Sequence, residues 1–295
     1  MNILEINNLS KRYGKIQSLN NFSLKVEKGN VYGLLGPNGS GKTTTLGIVL
    51  GIINQDSGSY KWFEKEPSKE SRKKIGAILE TPNFYPYLSA VKNLQIVADI
   101  KNVPYKNIDE VLKTVNLLER KNYASSTYSL GMRQRLALAS SLLADPDVLV
   151  LDEPTNGLDP QGIAEVREIV QEIVKKGKTI IIASHILDEI EKICTHVAVI
   201  KKGNLLVSGS IQDVLSKDNK IEVASDNLNL IEENLKAYKG IKRIVRAGIK
   251  LELYVENDVK SEDINKYLVE KNIYLSHLVL SRQSLEKTFL ELTAE

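Results

Sequence analysis

The segment Gly36-Pro37-Asn38-Gly39-Ser40-Gly41-Lys42-Thr43 is the strongest indication of how this chain folds. It fits the pattern Gly-x-x-x-x-Gly-Lys-Ser/Thr, in which a glycine-rich turn joins a strand to a helix and wraps phosphate groups. The apolar run Val31 to Leu35 predicts the buried strand, and Thr44 to Leu50 predicts the helix. Because both flanks are those that such a loop requires, we interpret the stretch as a phosphate-binding loop and not as a chance glycine-rich turn.

Each part of this loop has a physical role in holding a nucleotide. Glycines let backbone N–H groups turn toward phosphate oxygens, and the start of the helix adds partial positive charge. We expect the catalytic Lys42 to reach the β- and γ-phosphates, and the hydroxyl of Thr43 to ligate Mg²⁺. The residues predicted to contact ATP here are Gly36, Pro37, Asn38, Gly39, Ser40, Gly41, Lys42, Thr43 and Thr44.

A pair of carboxylates forms the second element of the predicted site. The four aliphatic residues from Val148 to Leu151 predict a buried strand, which Asp152 and Glu153 follow. Asp152 is expected to hold Mg²⁺, which keeps much of its water and takes few protein carboxylates. Glu153 can orient and deprotonate the water that attacks the γ-phosphate. Alone, the pair would be interpreted as solvated charges at a strand end, but the loop upstream favours the catalytic role.

Strand and helix patterns alternate over residues 1–216 and then change. The continuous apolar runs of the first part predict an α/β fold, with a parallel sheet covered by helices on both faces. Residues 217–295 show the order β-α-β-β-α-β, which is that of a ferredoxin-like α+β unit. That interpretation places strands over 221–224, 241–245, 250–255 and 273–279, helices over 228–238 and 262–271, and a last helix over 284–292. We therefore expect a nucleotide-binding domain over 1–216 and a small accessory domain over 217–295.

The composition narrows the setting in which the chain works. The 40 basic and 37 acidic residues leave a net charge of +3, so nothing indicates a nucleic-acid partner. Cys194 is the single cysteine, which favours a reducing compartment. No apolar run approaches the ~20 residues that a membrane helix needs. We expect a cytoplasmic protein that reaches a membrane from the water side.

Further motifs narrow the family. The segment Tyr128-Ser129-Leu130-Gly131-Met132 resembles a degenerate form of the ATP-binding cassette (ABC) signature, which is usually Leu-Ser-Gly-Gly-Gln. Ser129 and Gly131 keep the positions that contact phosphate in that family. The neighbouring residues depart from the pattern.

Three more residues match the same family in chain order. Asp159 ends a segment from Glu153 that resembles the D-loop, and His185 stands at the position of the switch histidine. Tyr13 matches the aromatic residue that stacks on adenine. The resemblance covers residues 1–216 and implies the fold of ABC ATPases, with a helical signature subdomain.

The resemblance also implies partners. In this family, the signature of one cassette faces the phosphate loop of another, so each ATP would lie between Lys42 of one chain and Ser129 of its partner. We therefore expect a second ATPase subunit, most simply an identical copy. Transmembrane permease subunits, encoded separately, would bind the pair at the inner face of the cell membrane.

A narrower resemblance concerns Glu80. It follows Ile75-Gly76-Ala77-Ile78-Leu79 and precedes Thr81-Pro82, where most cassettes have glutamine. This form is similar to the ATP-binding subunits of bacitracin-resistance and lantibiotic-immunity exporters. It implies export of a peptide antibiotic or drug, with Glu80 near Mg²⁺ and tuning the coupling of hydrolysis to transport.

Two other functions are alternatives to that of an exporter subunit. A cassette ATPase of translation or DNA maintenance would have two fused cassettes or a long coiled coil in one chain, and the sequence shows neither. A stand-alone regulatory ATPase or an importer subunit stays open.

Overall fold

The computed structural model of the chain describes residues 1–79, 83–215, 219–256, 258–281 and 285–293. The chain forms two compact units, Met1–Ser210 and Ile211–Glu295. The sequence interpretation draws the boundary after residue 216, and the separate roles of the two parts stay a prediction. The short helix that begins at Ile211 packs against the last helix, which places it in the second unit.

The first unit contains two sheets and the helices that cover them. Its strands are β1 (Asn2–Tyr13), β2 (Ile16–Glu27), β3 (Val31–Leu35), β4 (Ser57–Trp62), β5 (Ile75–Ile78), β6 (Val148–Asp152), β7 (Thr179–Ser184), β8 (His196–Lys201) and β9 (Asn204–Ser210). Its helices are α1 (Lys42–Val49), α2 (Lys69–Lys73), α3 (Ala90–Lys101), α4 (Asn107–Thr114), α5 (Leu130–Leu142), α6 (Pro160–Lys175) and α7 (Leu187–Ile193).

The larger sheet has the strand order β5-β6-β7-β3-β8-β9. Neighbours from β5 to β8 run parallel, and β9 returns antiparallel to β8. Every residue of β3, β6 and β7 is buried, which explains why their sequences are apolar without alternation. Because the strands are parallel, the segments that follow β3, β6 and β7 leave the sheet at the same edge. The α/β prediction is confirmed.

The smaller sheet was not predicted from the sequence. It is antiparallel with the order β2-β1-β4. Residues of β1 and β2 alternate between buried and exposed only in part, because register shifts interrupt the pairing. Its inner side chains, including Phe22 and Trp62, share one hydrophobic core with α1 and the larger sheet. The phosphate loop is therefore supported by both sheets.

Helices α3, α4 and α5 pack against one another as a helical layer. In the alternating part of the sequence, the pattern from Leu130 to Leu143 predicts a helix that is observed as α5. The pattern from Gln161 to Val174 predicts another, which is observed as α6. Both helices begin with a capping side chain, and α6 has Pro160 in its first turn, where the missing N–H costs nothing. These caps place the start of each helix.

The second unit has the topology expected of a ferredoxin-like fold. Its elements are α8 (Ile211–Leu215), β10 (Asn219–Ala224), α9 (Leu228–Leu235), β11 (Ile241–Ala247), β12 (Lys250–Val255), α10 (Ser261–Val269), β13 (His277–Ser281) and α11 (Leu285–Thr293). The sheet order is β11-β12-β10-β13, with every neighbour antiparallel. One face of the sheet packs on α9 and α10 through a separate hydrophobic core.

The strand predicted over 273–279 is wrong in its start, because β13 begins at His277. The residues before it cap the C-terminus of α10 and connect that helix to β13. Asn272 adopts a left-handed φ of 59°, and the N–H of Ile273 donates to Leu268 O at 2.9 Å. Ile273 is buried in the core, so its apolar character reflects a helix cap and not a strand.

Across the ranges that the structure describes, we find no helix both long enough and apolar enough to cross a membrane.

Candidate nucleotide-binding and catalytic site

The phosphate loop connects β3 to α1, and its shape depends on glycine at two positions. Gly41 has φ 113°, and a Cβ there would lie 2.5 Å from the carbonyl oxygen of Ser18. A Cβ at Gly36 would lie 2.4 Å from both Ile200 O and Ser40 Oγ. Larger residues would push the loop away from β2 and β8, so the backbone geometry that cradles phosphate requires these glycines.

The start of α1 differs from the starts of α5 and α6. At α1, the residue before the helix is Gly41, and no side chain caps the first turn. At α5, Ser129 Oγ accepts from the N–H of Met132 at 3.2 Å. At α6, Asp159 Oδ1 accepts from Gly162 N–H at 3.0 Å. The uncapped N–H groups of α1 are the ones suited to an anionic ligand, since a helix start without a cap needs acceptors.

Lys42 lies in the first turn of α1 with its side chain held inside the loop. Only 5% of its surface is exposed, and Nζ donates to Gly36 O at 2.8 Å. Its charge is balanced by Glu153, whose Oε1 lies 3.5 Å away. A buried ammonium surrounded mainly by carbonyl oxygens can exchange them for phosphate oxygens. This placement fits the predicted role of Lys42.

Thr43 and Asp152 meet across the sheet edge although they are far apart in sequence. Thr43 Oγ1 donates to Asp152 Oδ2 at 2.8 Å, and Asp152 is buried at the end of β6. Two oxygen donors beside a phosphate loop fit Mg²⁺, which binds one or two protein groups and completes its shell with water and phosphate. The third residue predicted for the metal, Glu80, lies outside the described residues.

Glu153 is held between two groups that come from different elements. Its Oε2 lies 2.8 Å from Nδ1 of His185, which follows β7 directly. Its backbone has a left-handed φ of 48°, and its N–H donates to Ala183 O at 2.9 Å. An ionised carboxylate can only accept, so Nδ1 is the protonated nitrogen of this pair. The strained backbone and the two contacts fix the carboxylate beside Lys42.

The predicted signature residues lie around a pocket of about 460 Å³, separate from the phosphate loop. The starts of α5 and α6 line it, with Ser129, Gly131 and Asp159 among its walls. A Cβ at Gly131 would lie 3.9 Å from Leu158 Cδ2 and from Ser129 Oγ, which is ordinary van der Waals contact. Arg135 closes one side with an ion pair to Glu165 at 3.4 Å, a contact that no local sequence signal indicated.

The departure of Tyr128 from the usual signature has a structural reason. The ring is buried, with 3% of its surface exposed, and its hydroxyl donates to Arg120 O at 2.7 Å. Burial raises the pKa of this phenol, so it stays a neutral donor. Tyr128 therefore anchors the segment before Ser129 to the turn that follows α4.

Tyr13 ends β1 and is 47% exposed. Lys11 Nζ lies 5.5 Å from the centroid of its ring. An exposed ring is available for stacking, and its predicted contact with adenine stays a prediction. A support that the sequence reasoning missed is Ser18, whose hydroxyl lies 2.8 Å from Thr44 Oγ1. It sits in a strand without any motif, so only the fold could reveal it.

Comparisons with known proteins agree with this geometry. The model of the ABC transporter family matches residues 19–156. The chain is 37% identical over 300 residues to the bacitracin transport ATP-binding protein BcrA of Bacillus licheniformis, covering 98% of this chain and 97% of that protein. It is 42% identical over 205 residues to the lantibiotic transport ATP-binding protein SrtF of Streptococcus pyogenes, covering 70% of this chain and 90% of that protein.

Among solved structures, cbiO1 from Clostridium perfringens, part of the ABC transporter complex cbiONQ, superimposes with a TM-score of 0.67 at 28% identity. That match covers 80% of this chain and 96% of the other. The match to BcrA extends over nearly the whole sequence and therefore includes the second unit.

Proposed function

This chain belongs to the ABC transporter family as an ATP-binding, ATP-hydrolysing subunit, and we propose that it powers a separately encoded permease that exports a peptide antibiotic or drug. The contact chain Lys42–Glu153–His185 carries the proposal for the chemistry, because it joins a phosphate-binding cation, a base and an orienting group. The names of the relatives support the proposal for the cargo.

The residues of the site divide the hydrolytic step among them. Lys42 and the N–H groups of α1 hold the β- and γ-phosphates, so the phosphorus that is attacked is fixed beside Glu153. The carboxylate of Glu153 takes one proton from a water molecule as the water oxygen bonds to that phosphorus, and the bond to the ADP oxygen breaks. His185 donates to the other carboxylate oxygen and keeps it aimed. Mg²⁺, when bound by Thr43 and Asp152, supplies positive charge at the β- and γ-phosphates.

A second chain would complete each site. Ser129 and Gly131 lie at their own pocket beside Asp159, at the start of helices separate from α1. Small residues at a helix start can approach the phosphates of an ATP held by another cassette. We propose that two copies close on two ATP molecules in this way, with Tyr13 stacking on adenine.

The permease would dock on aromatic residues in the turn that precedes α3. Tyr85 and Tyr87 are 51% and 72% exposed, and their ring centroids lie 6.0 Å apart. The buried Asn93 holds this turn: its Oδ1 accepts from Tyr85 N–H at 2.8 Å, and its Nδ2 donates to Tyr85 O at 3.2 Å. Exposed rings on a fixed backbone suit an interface anchor. This contact would place the chain at the inner face of the cell membrane.

Export is tested in cells that carry this chain together with its permease. The parental pair should confer resistance to bacitracin or to a lantibiotic, and Lys42→Ala should remove it while leaving the protein level unchanged. If the parental pair and the variant are equally sensitive while the purified parental chain has normal ATPase activity, the proposed cargo is wrong. The assignment as an ATPase would then stand.

The composite site is tested with Ser129→Arg. A bulky cation at the start of α5 should leave ATP binding by the monomer unchanged and prevent the ATP-dependent dimer, as measured by light scattering. Gln161→Arg is the matched control, because it adds the same charge to the same pocket but at the start of α6. If Ser129→Arg still dimerises with ATP, the composite site is wrong.

Glu80 is proposed to tune coupling and not to act as the main base. Glu80→Gln should keep substantial ATPase activity while changing resistance, because the amide oxygen remains but the negative charge is lost. Glu80→Ala should reduce resistance more, since it removes the oxygen. Parental behaviour of both variants in both assays would make Glu80 a bystander.

A further inference from the structure

The two edge strands of the ferredoxin-like sheet differ in how well they are protected against pairing with another strand. β11 forms one edge and β13 the other. An edge strand exposes unpaired N–H and C=O groups, and proteins usually protect it with charges, bulges or prolines. β11 has this protection, because it carries Lys242, Arg243 and Arg246 and has a register shift between Ile241 and Arg243.

β13 lacks these protections. Its sequence is His277-Leu278-Val279-Leu280-Ser281, and its pairing with β10 is regular from end to end. Val279 and Leu280 are each 44% exposed, although they point to opposite faces of the sheet. Within the described residues, β10 is the strand to which β13 pairs. An apolar, regular and exposed edge is suited to accept another strand.

The strand is also complementary to itself. In an antiparallel pair centred on Val279, this residue would face its own copy. Leu278 would face the second copy's Leu280 on the side of the sheet that packs on the helices, which would cover the exposed part of Leu280. His277 would face the second copy's Ser281, so no like-charged pair of acidic or basic side chains arises. A two-fold axis generates such isologous pairing from a single chain.

We propose that two copies of this chain pair through β13, joining their ferredoxin-like sheets into one continuous antiparallel sheet. The contact uses no residue of the nucleotide site and is present whether or not ATP is bound. Its role is to keep the second cassette at a high effective concentration between rounds of hydrolysis.

Cysteine cross-linking of the full chain without nucleotide tests the geometry. Val279→Cys would bring two thiols face to face at the two-fold axis, within the Cα separation of ~4.4–6.8 Å that a disulfide needs. The matched control is Val245→Cys, because Val245 lies on the same face of the same sheet but on the edge strand β11. The parental chain controls for Cys194, whose thiol is buried and has its pKa raised by that burial.

The expected result is a disulfide-linked dimer that forms at least several-fold faster for Val279→Cys than for Val245→Cys. Equal rates for the two variants would overturn the proposal.

A second measurement does not depend on a disulfide. Val279→Lys opposes two like charges at the axis, and Val245→Lys adds the same charge at the other edge. Sedimentation without nucleotide should show loss of dimer for Val279→Lys alone. Its ATPase rate per chain should fall at low chain concentration and return to the parental rate at high concentration. A parental chain that stays monomeric without nucleotide would overturn β13 pairing, and so would equal sedimentation of the two variants. If the parental chain still hydrolyses ATP in that case, the proposed function is unaffected.

Discussion

Each unit contains a cluster in which a lysine is paired with glutamate, and the two clusters differ in how closely the charges are paired. In the second unit, Lys220 Nζ lies 2.6 Å from Glu252 Oε1 and 2.9 Å from Glu222 Oε1. In the first unit, Lys42 Nζ has its carboxylate partner, Glu153, at 3.5 Å and a carbonyl oxygen at 2.8 Å. The ion pairs of Lys220 are close and hydrogen-bonded. The ion pair of Lys42 is longer and lies beside the uncapped start of α1.

Pairing distance and surroundings distinguish the stabilising cluster from the reactive one. Lys220, Glu222 and Glu252 come from neighbouring strands, and their charges satisfy one another on the sheet. Lys42, Glu153 and His185 come from α1, the end of β6 and the end of β7, and their spare hydrogen-bonding capacity faces a phosphate loop. Charged groups that are not saturated by each other are the ones available to a ligand.

The largest expected effect concerns Glu153. Glu153→Gln should lower the ATPase rate by ~10²–10⁴-fold, because an amide cannot take the proton of the attacking water. ATP binding should persist, since Lys42 and α1 are unchanged. Steady-state phosphate release and calorimetric ATP titration measure the two quantities. Glu222→Gln is the matched change in the other cluster and should keep the parental rate. A parental rate for Glu153→Gln would remove it from the role of base.

The next effect concerns the cations of the two clusters. Lys42→Ala should weaken ATP binding by roughly 10–100-fold, because a charge-assisted hydrogen bond contributes ~1.5–3 kcal/mol. Lys220→Ala should leave ATP affinity unchanged. Calorimetry on both variants makes the comparison directly. Equal ATP affinities for Lys42→Ala and Lys220→Ala would show that the two clusters do not differ as proposed.

The smallest effect is one of acid stability. The hydrogen bond from Lys220 lowers the pKa of Glu222. A lowered pKa in the folded state means that stability is fully present above the pKa of the unfolded chain and is lost as pH falls through the folded pKa. Glu222→Gln should therefore lose less thermal stability than the parental chain as the pH falls below 4.5, the ordinary pKa of a glutamate side chain, with ATPase unchanged at neutral pH. Parallel melting-temperature profiles for the two proteins would contradict this assignment.

Much of the architecture could be predicted because local patterns determine it. The glycines and the lysine of the phosphate loop specify a strand, a turn and a helix within a short segment, and the structure has all three. The order of elements after residue 217 likewise predicted the ferredoxin-like topology. The antiparallel sheet of β1, β2 and β4 was missed, because register shifts break the alternation that would have marked β1 and β2 as strands.

The residue types that carry the chemistry, and their order, could be identified without a structure: the phosphate loop, the carboxylates after β6 and the histidine after β7. The contact of Thr43 with Asp152 and the position of Glu153 between Lys42 and His185 depend on the packing of the whole chain. The same packing makes β13, and not β11, the unprotected edge of its sheet. The reason is that turns and helix starts depend on neighbouring residues, whereas strand order depends on which faces the whole chain can bury together.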